Sequence, residues 1–167
     1  MAMQRSAEGD IVRLRDGRAI SFVEYGDPEG FVVVNAHGGL SCRLDVASAG
    51  PAATASGIRL ISPDRPGVGR SDPQPGRSLL DWAHDVGELV DDLGVDRFGV
   101  MGWSMGGQYA AAVGYAMPSR VARVAIIARI FGAIRTASVP NRSNGCSPDD
   151  WSLSRHPRTD EGKARCD

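Results

Sequence analysis

The sequence has few of the residues that build disulfide-bonded, metal-binding or membrane-spanning proteins. Its three cysteines, Cys42, Cys146 and Cys166, are scattered and form no C-x-x-C pair, which argues against a disulfide framework or a zinc site. Free thiols are typical of a reducing compartment. No apolar run approaches the roughly 18 residues of a membrane span, and Met1–Asp10 lacks the apolar stretch of a signal peptide. The sequence therefore predicts a cytoplasmic protein with no metal site and no membrane partner.

An excess of charge of either sign is also absent. The 19 Lys and Arg residues nearly balance the 20 Asp and Glu residues, so no nucleic-acid partner is expected. Hydrophobic residues make up 42% of the 167 residues, which is enough to bury a core in one domain. No cofactor is predicted, and the oligomeric state is left open.

One short motif carries most of the chemical information. Residues Gly102–Gly107 have the sequence G-W-S-M-G-G, between a strand-like run at Arg97–Met101 and an alanine-rich, helix-like run at Gln108–Met117. In this setting G-x-S-x-G is typical of a sharp turn that presents a serine as a nucleophile, and glycines flank it because larger side chains would collide. The alternative is an ordinary glycine-rich turn in which the serine caps the helix.

Alternating apolar runs and helical patterns predict an α/β architecture. Nearly continuous apolar runs predict four parallel strands buried on both faces: Phe31–Ala36, Ile58–Ser62, Phe98–Met101 and Val121–Ala128. Before them, Ile11–Leu14 and Ala19–Tyr25 predict an antiparallel hairpin turning at Asp16-Gly17. Helices between the strands are then expected on both faces of a mainly parallel sheet.

The clearest predicted helix covers Ser78–Leu93. Ser78 and Asp81 have the spacing of a capping box, apolar residues recur at helical spacing, and Gly94 suits the position just beyond the end. A weaker helix is predicted over Val46–Ser56. Asn35 is unusual, because it is a polar residue inside an apolar strand.

The character of the sequence changes after Ala128. Residues 129–167 are rich in Arg, Ser, Pro and Asn and follow neither the helical nor the strand period. The sequence therefore predicts an ordered part, 1–128, and an irregular, disordered tail, 129–167. A frameshifted or truncated gene end and a lineage-specific flexible tail both explain the change.

Three blocks of the sequence resemble the α/β-hydrolase family. The first is the strand and H-G-x turn of Val32–Gly39, the second is the D-x-P-G-x-G-x-S-D loop of Asp64–Asp72, and the third is the serine turn. They occur in family order over roughly residues 10–128. The resemblance implies a partial α/β-hydrolase fold whose C-terminal strands are missing. It also implies a hydrolase acting on a small acyl compound, such as an ester, thioester or amide.

The resemblance also implies roles for individual residues. Ser104 would be the nucleophile, and the backbone N–H groups of Met105 and Gly39 would form the oxyanion hole. Gly102 and Gly106 would permit the sharp turn.

Further residues would support this site. His37 would hold the oxyanion loop together with Gly38 and would not act as the base. Asp64 and Arg65 lie near the rim of the site in the family, where contact with the active-site loops and simple loop structure are equally compatible with their positions.

The general base is harder to assign. His84 falls in the middle of the predicted helix, where a surface or packing position is expected. His156 is the histidine that follows Ser104, and Asp149 or Asp150 could orient it in the family's chain order. No strand is predicted there to hold these groups, so the acid and base of a triad are not identifiable by pattern.

Two functional classes therefore stay open. One is a serine hydrolase. The nucleophile position holds a serine and not an aspartate, which argues against haloalkane dehalogenase or epoxide hydrolase chemistry. The other is a catalytically inactive, truncated fragment or a non-catalytic binding remnant of such a hydrolase. Acyl transfer or cofactor-free perhydrolysis on the same fold is a weaker third possibility.

Overall fold

The computed structural model describes residues 9–128, 133–138 and 153–154. The described strands form one sheet: β1 (Asp10–Arg13), β2 (Ala19–Gly26), β3 (Phe31–Ala36), β4 (Ile58–Pro63), β5 (Phe98–Trp103), β6 (Val121–Ala128), β7 (Ala133–Ser138) and β8 (Leu153–Ser154). The described α-helices are α1 (Gly50–Ala55), which follows a short 3-10 turn at Ala47–Ala49, α2 (Leu79–Asp92) and α3 (Gly106–Ala116).

The sheet has the strand order β1-β2-β4-β3-β5-β6-β7-β8. Strands β4, β3, β5 and β6 run parallel to one another, as their apolar runs predicted. Strand β2 pairs antiparallel with β1, which confirms the N-terminal hairpin, and also antiparallel with β4. The predicted class is therefore confirmed: an α/β fold in which four central parallel strands are joined to an antiparallel N-terminal hairpin.

Helices cover both faces of the sheet. Val32 and Val34 of β3 belong to a large apolar cluster that includes residues of α2 and α3, such as Trp82 and Val113. Val33, between them, points to the opposite face and packs with a smaller cluster that includes residues of α1 and β4. Successive residues of a strand face opposite ways, so the two clusters are the two buried layers of the fold.

Helix α2 begins and ends as its sequence predicted. The Ser78 Oγ accepts a hydrogen bond from the Asp81 N–H at 3.2 Å, and the Asp81 carboxylate accepts one from the Ser78 N–H at 2.6 Å. This reciprocal pair is a capping box. Gly94 follows the helix with φ +66°, the left-handed conformation that favours glycine. Along the described helices, none combines the length and the apolar character needed to cross a membrane.

Two short strands occur where the sequence predicted irregular chain. Strand β7 pairs antiparallel with β6, and β8 pairs antiparallel with β7. A physical reason is that β6 would otherwise leave a row of unpaired backbone groups at the sheet edge, which a following segment can satisfy. The remaining residues after Ala128 lie outside the described part of the chain, so the prediction of an irregular tail stays untested there.

Candidate active site

Ser104 lies on the sharp turn between β5, which ends at Trp103, and α3, which begins at Gly106. Its φ is +53°, and no other non-glycine residue among those described has a left-handed φ. Such a conformation costs about 1–3 kcal/mol and persists only where the surroundings enforce it. The Ser104 N–H donates to the Ile127 carbonyl at 2.9 Å, which ties the turn to β6, and the side chain is exposed.

The glycines on either side of Ser104 are required by close backbone contacts. A Cβ on Gly102 would lie 2.2 Å from the Gly106 carbonyl oxygen. A Cβ on Gly106 would lie 1.9 Å from the carbonyl oxygen of Ala36 at the end of β3. Both distances are far below contact distance, so the turn holds its shape only with glycine at these two positions.

The H-G-G turn after β3 meets the residue that follows Ser104. A Cβ on Gly39 would lie 3.7 Å from the Met105 Cβ and 2.6 Å from its Cε, so the two residues pack together. Neither the Gly39 N–H nor the Met105 N–H donates a hydrogen bond to any part of the chain that the structure describes. Two unused backbone donors therefore belong to residues in mutual contact beside an exposed serine hydroxyl.

His37 is fully buried, and both of its ring nitrogens are used. Its Nε2 accepts from the Arg65 N–H at 3.2 Å, so the proton is on Nδ1, which lies 2.9 Å from the Gly38 carbonyl oxygen. Burial, and then the nearby Arg65 guanidinium, lower the pKa of His37 below its ordinary value. A neutral, internally bonded imidazole supports the turn and has no free nitrogen with which to act as a base.

This lowered pKa predicts a loss of stability in mild acid. In the pH range between the lowered folded-state pKa and the ordinary unfolded value of about 6.5, the unfolded chain binds more protons at His37 than the folded chain does. The contribution of His37 to the free energy of unfolding should therefore be complete above pH ~6.5. It should decrease as pH falls from there toward the lowered folded-state pKa. Urea unfolding at a series of pH values measures the slope.

Replacing the buried imidazole provides the comparison, since His37→Gln should flatten the pH slope in this range. His84→Gln, which removes an exposed histidine of α2, is measured beside it as a substitution control. An equal slope in wild type and His37→Gln would contradict the assignment. If His37→Gln does not fold, a histidine NMR titration of wild type replaces it, and the expectation is that the His37 ring stays neutral below pH ~6.5.

Arg65 holds the same turn from the end of β4. It is 3% exposed, and its guanidinium donates to the His37 carbonyl oxygen and, at 2.7 Å, to the Gly38 carbonyl oxygen. The guanidinium also lies over the Tyr109 ring of α3, 4.6 Å from its centroid. Burial lowers the pKa of Arg65 from its ordinary value. The sequence placed Arg65 near the rim of the site, but its contacts with this turn were not predicted.

Asp45 is a residue that sequence reasoning missed. Its carboxylate accepts from the Trp103 indole N–H at 2.6 Å, from Ser41 Oγ at 2.8 Å and from the Gly38 N–H at 3.3 Å. The Trp103 ring lies against Gly38, where a Cβ would be 2.7 Å from Cζ2. Trp103 therefore packs beneath the turn.

Asn35, the polar residue in β3, belongs to the same network. It is fully buried, and its Nδ2 donates to Asp45 Oδ1 at 3.1 Å and to Ser62 Oγ at 3.0 Å. These two partners, on the neighbouring strand and loop, satisfy the buried Nδ2, whereas the buried Oδ1 accepts from none of the described residues.

Asp64 is fully buried, and its carboxylate is occupied by contacts within the loops. It accepts from Ser21 Oγ at 2.7 Å, from the Arg43 N–H at 2.7 Å and from Arg43 Nη1 at 2.7 Å. Gly69 lies so close that a Cβ there would be 2.0 Å from Asp64 Oδ2. These contacts favour loop structure as the role of Asp64.

The remaining candidates are the base and the acid of a catalytic triad. His156, Asp149 and Asp150 all lie outside the described part of the chain. No group of three or more His, Cys, Asp or Glu side chains that could hold a metal ion occurs within the described ranges.

The strand order, the strained serine turn and the facing H-G-G turn together define an α/β-hydrolase architecture. The chain belongs to the α/β-hydrolase fold family, and the match covers residues 32–144. The sequence resemblance to this family is thereby confirmed.

Relatives of several activities share this part of the fold. A 2-hydroxy-6-oxononadienedioate/2-hydroxy-6-oxononatrienedioate hydrolase from Dechloromonas aromatica is 32% identical over an aligned length of 133 residues, and the match covers 75% of this chain and 46% of that protein. A non-heme chloroperoxidase from Streptomyces lividans is 32% identical over 71% of this chain and 44% of its own length. The chain spans less than half the length of these two curated relatives.

Solved structures agree on the fold. A hydrolase from Pseudomonas aeruginosa PA01 superposes with a TM-score of 0.65 at 25% identity, covering 72% of this chain and 45% of that chain. A thioesterase domain from the curacin biosynthetic pathway gives a TM-score of 0.62 at 25% identity, covering 70% of this chain and 44% of that chain.

Proposed function

We propose that the protein is a serine hydrolase for a small acyl substrate, an ester, thioester or amide, with Ser104 as its nucleophile. The observation that carries the proposal is the left-handed φ of +53° at Ser104, on an exposed strand-to-helix turn. An ordinary capping serine has no need of that conformation, since Ser78 caps α2 at φ −90°. Strain kept at an exposed serine is typical of a residue held for reaction.

The neighbouring groups fit attack on a carbonyl carbon. The Ser104 hydroxyl would add to the carbonyl, lose its proton to a base and leave a negative charge on the carbonyl oxygen. The unused N–H groups of Met105 and Gly39 would donate to that oxygen. Collapse of this intermediate would break the bond to the leaving group, which takes the proton back from the base and departs as the alcohol, thiol or amine; water would then hydrolyse the acyl-enzyme by the same steps.

The base in this proposal is a histidine outside the described residues. His37 has no free ring nitrogen, and its lowered pKa reflects burial within the turn. His84 occupies an exposed position in the middle of α2. This leaves His156 as the candidate base in the sequence, with Asp149 or Asp150 as the acid that orients it.

Labelling with a fluorophosphonate probe tests the proposal. The probe reacts with activated serines, so we expect one label on Ser104, identified by peptide mass spectrometry, and no label in Ser104→Ala. Ser78→Ala is the matched control, because Ser78 is also an exposed serine at a helix N-terminus but has an ordinary backbone conformation. It should label like wild type.

A further variant separates the two functional classes. His156→Ala should lower the labelling rate by a factor of about 10³ or more if this histidine is the base, since triad residues act as a unit. A folded wild-type protein that takes no label would contradict the hydrolase proposal and favour the inactive or binding remnant. Label on a serine other than Ser104 would contradict the assignment of the nucleophile.

A further inference from the structure

The peptide bond between Gly38 and Gly39 is held entirely through its carbonyl group. The Gly38 carbonyl oxygen accepts from Arg65 Nη2 at 2.7 Å, and the protonated Nδ1 of His37 lies 2.9 Å from the same oxygen. At the other end of this peptide, the Gly39 N–H donates to none of the residues that the structure describes. The Gly38 carbonyl therefore accepts from two buried donors, while the Gly39 N–H has no acceptor among the described residues.

The orientation of this peptide follows from its carbonyl contacts. The described chain contains no cis peptide bond, so the N–H of Gly39 points away from the Gly38 carbonyl. The carbonyl faces the buried side chains of His37 and Arg65. The N–H is consequently directed to the other side of the turn, where Gly39 packs against Met105.

The charge on Arg65 should also strengthen the N–H as a donor. Hydrogen bonds in a chain polarise one another, and an ionised donor does so more strongly than a neutral one. No carboxylate among the described residues lies within 4.0 Å of the Arg65 guanidinium, unlike Arg43, whose Nη1 is 2.7 Å from Asp64. The guanidinium of Arg65 therefore contacts two carbonyl oxygens and the face of the Tyr109 ring.

We infer that Arg65 is a positioning residue for the oxyanion hole, acting through the Gly38–Gly39 peptide to aim and polarise the Gly39 N–H. The inference rests on the proposed function for its effect on catalysis. Its structural part, that Arg65 controls the Gly39 amide, stands on the hydrogen bonds alone.

Two measurements on Arg65→Met test the inference. The rate of fluorophosphonate labelling at Ser104 should fall by about 10- to 100-fold, less than the roughly 10²- to 10³-fold caused by deleting an oxyanion donor outright. The backbone amide nitrogen resonance of Gly39 should move upfield, because a hydrogen bond to the preceding carbonyl has been lost. Arg65→Lys keeps the charge but not the fork of two donors, and its labelling rate should be intermediate.

Arg59→Met is the matched control. Arg59 lies on the same strand, β4, and makes a two-point contact with Glu24 at 2.6 and 3.0 Å. Its loss should lower the thermal midpoint while leaving the labelling rate and the Gly39 resonance unchanged. All rates are measured at a temperature at which circular dichroism shows each variant to be folded.

The outcomes separate this inference from the proposed function. A folded Arg65→Met that labels at the wild-type rate and keeps its Gly39 resonance overturns the inference. If Arg65→Met does not fold, an unchanged rate and resonance in Arg65→Lys overturns it instead. If wild type takes no label, the proposed function fails and the Gly39 resonance decides: a shift supports control of the amide by Arg65, and no shift overturns it.

Discussion

Replacing Gly106 with alanine is expected to lower the free energy of unfolding by about 3 kcal/mol or more and to abolish labelling of Ser104. The new Cβ would lie 1.9 Å from the Ala36 carbonyl oxygen and 2.8 Å from the His37 carbonyl oxygen. Both atoms are backbone, so no side chain can rotate away. The start of α3 would have to move off β3, and that movement would displace Ser104 from its turn.

Urea unfolding followed by circular dichroism measures this cost. Gly50→Ala is the matched control, because its Cβ would meet the Tyr25 side chain at an ordinary 3.7 Å and its φ of −50° is helical. Alanine there should change stability by less than about 1 kcal/mol and leave labelling intact. A Gly106→Ala protein as stable and reactive as Gly50→Ala would show that the contact with β3 is not tight.

The bounds of the strands could be predicted closely, because a strand buried on both faces appears in the sequence as a continuous apolar run. Phe31–Ala36 and Val121–Ala128 are bounded in the structure where their apolar runs begin and end. The start of β5 at Phe98 was likewise predicted, but β5 continues two residues further, through Gly102 to Trp103. Gly102 gives no apolar signal for the end of β5, because a glycine is required there by the close approach of α3.

The order of the strands and the short strands after β6 could not be obtained in the same way. Pairing of β2 with β4, and of β4 with β3, depends on contacts between segments tens of residues apart, which no local period encodes. Ala133–Ser138 is too short and too mixed in composition to indicate a strand by itself. Its pairing partner β6 supplies the reason for the conformation.

In the candidate site, too, features set by local spacing were predictable and contacts between distant segments were not. Ser104, Gly102 and Gly106 were predictable because the turn requires particular residues at fixed spacing. The contacts of Asp45 and Arg65 were not, because each joins segments distant in sequence: Asp45 contacts Trp103, 58 residues away, and Arg65 contacts Gly38, 27 residues away. A signal existed in Asn35, since a polar residue in a buried strand requires polar partners nearby.

Replacing Asp64 with alanine is expected to cost about 3–5 kcal/mol of unfolding free energy, the usual result of removing one partner from a buried ion pair. Asp64 is fully buried, and the Arg43 side chain that it contacts at 2.7 Å is only 9% exposed. The variant would leave the buried guanidinium without this carboxylate, and Ser21 Oγ would lose its 2.7 Å hydrogen bond to Asp64. Typical domains are stable by only about 5–15 kcal/mol, so the loss could unfold the protein at 37 °C.

Two comparisons attribute this loss to the buried charge. Asp91→Ala removes a carboxylate that is 46% exposed and paired with Arg120 at the surface, and it should cost less than about 1 kcal/mol. The double variant Asp64→Ala/Arg43→Met removes both charges and should recover part of the stability lost in Asp64→Ala, because the buried cation that Asp64 had balanced is removed as well. Urea unfolding of the four proteins, wild type included, gives the differences directly. A double variant less stable than Asp64→Ala would show that the hydrogen bonds of Arg43, and not its charge, dominate this part of the fold.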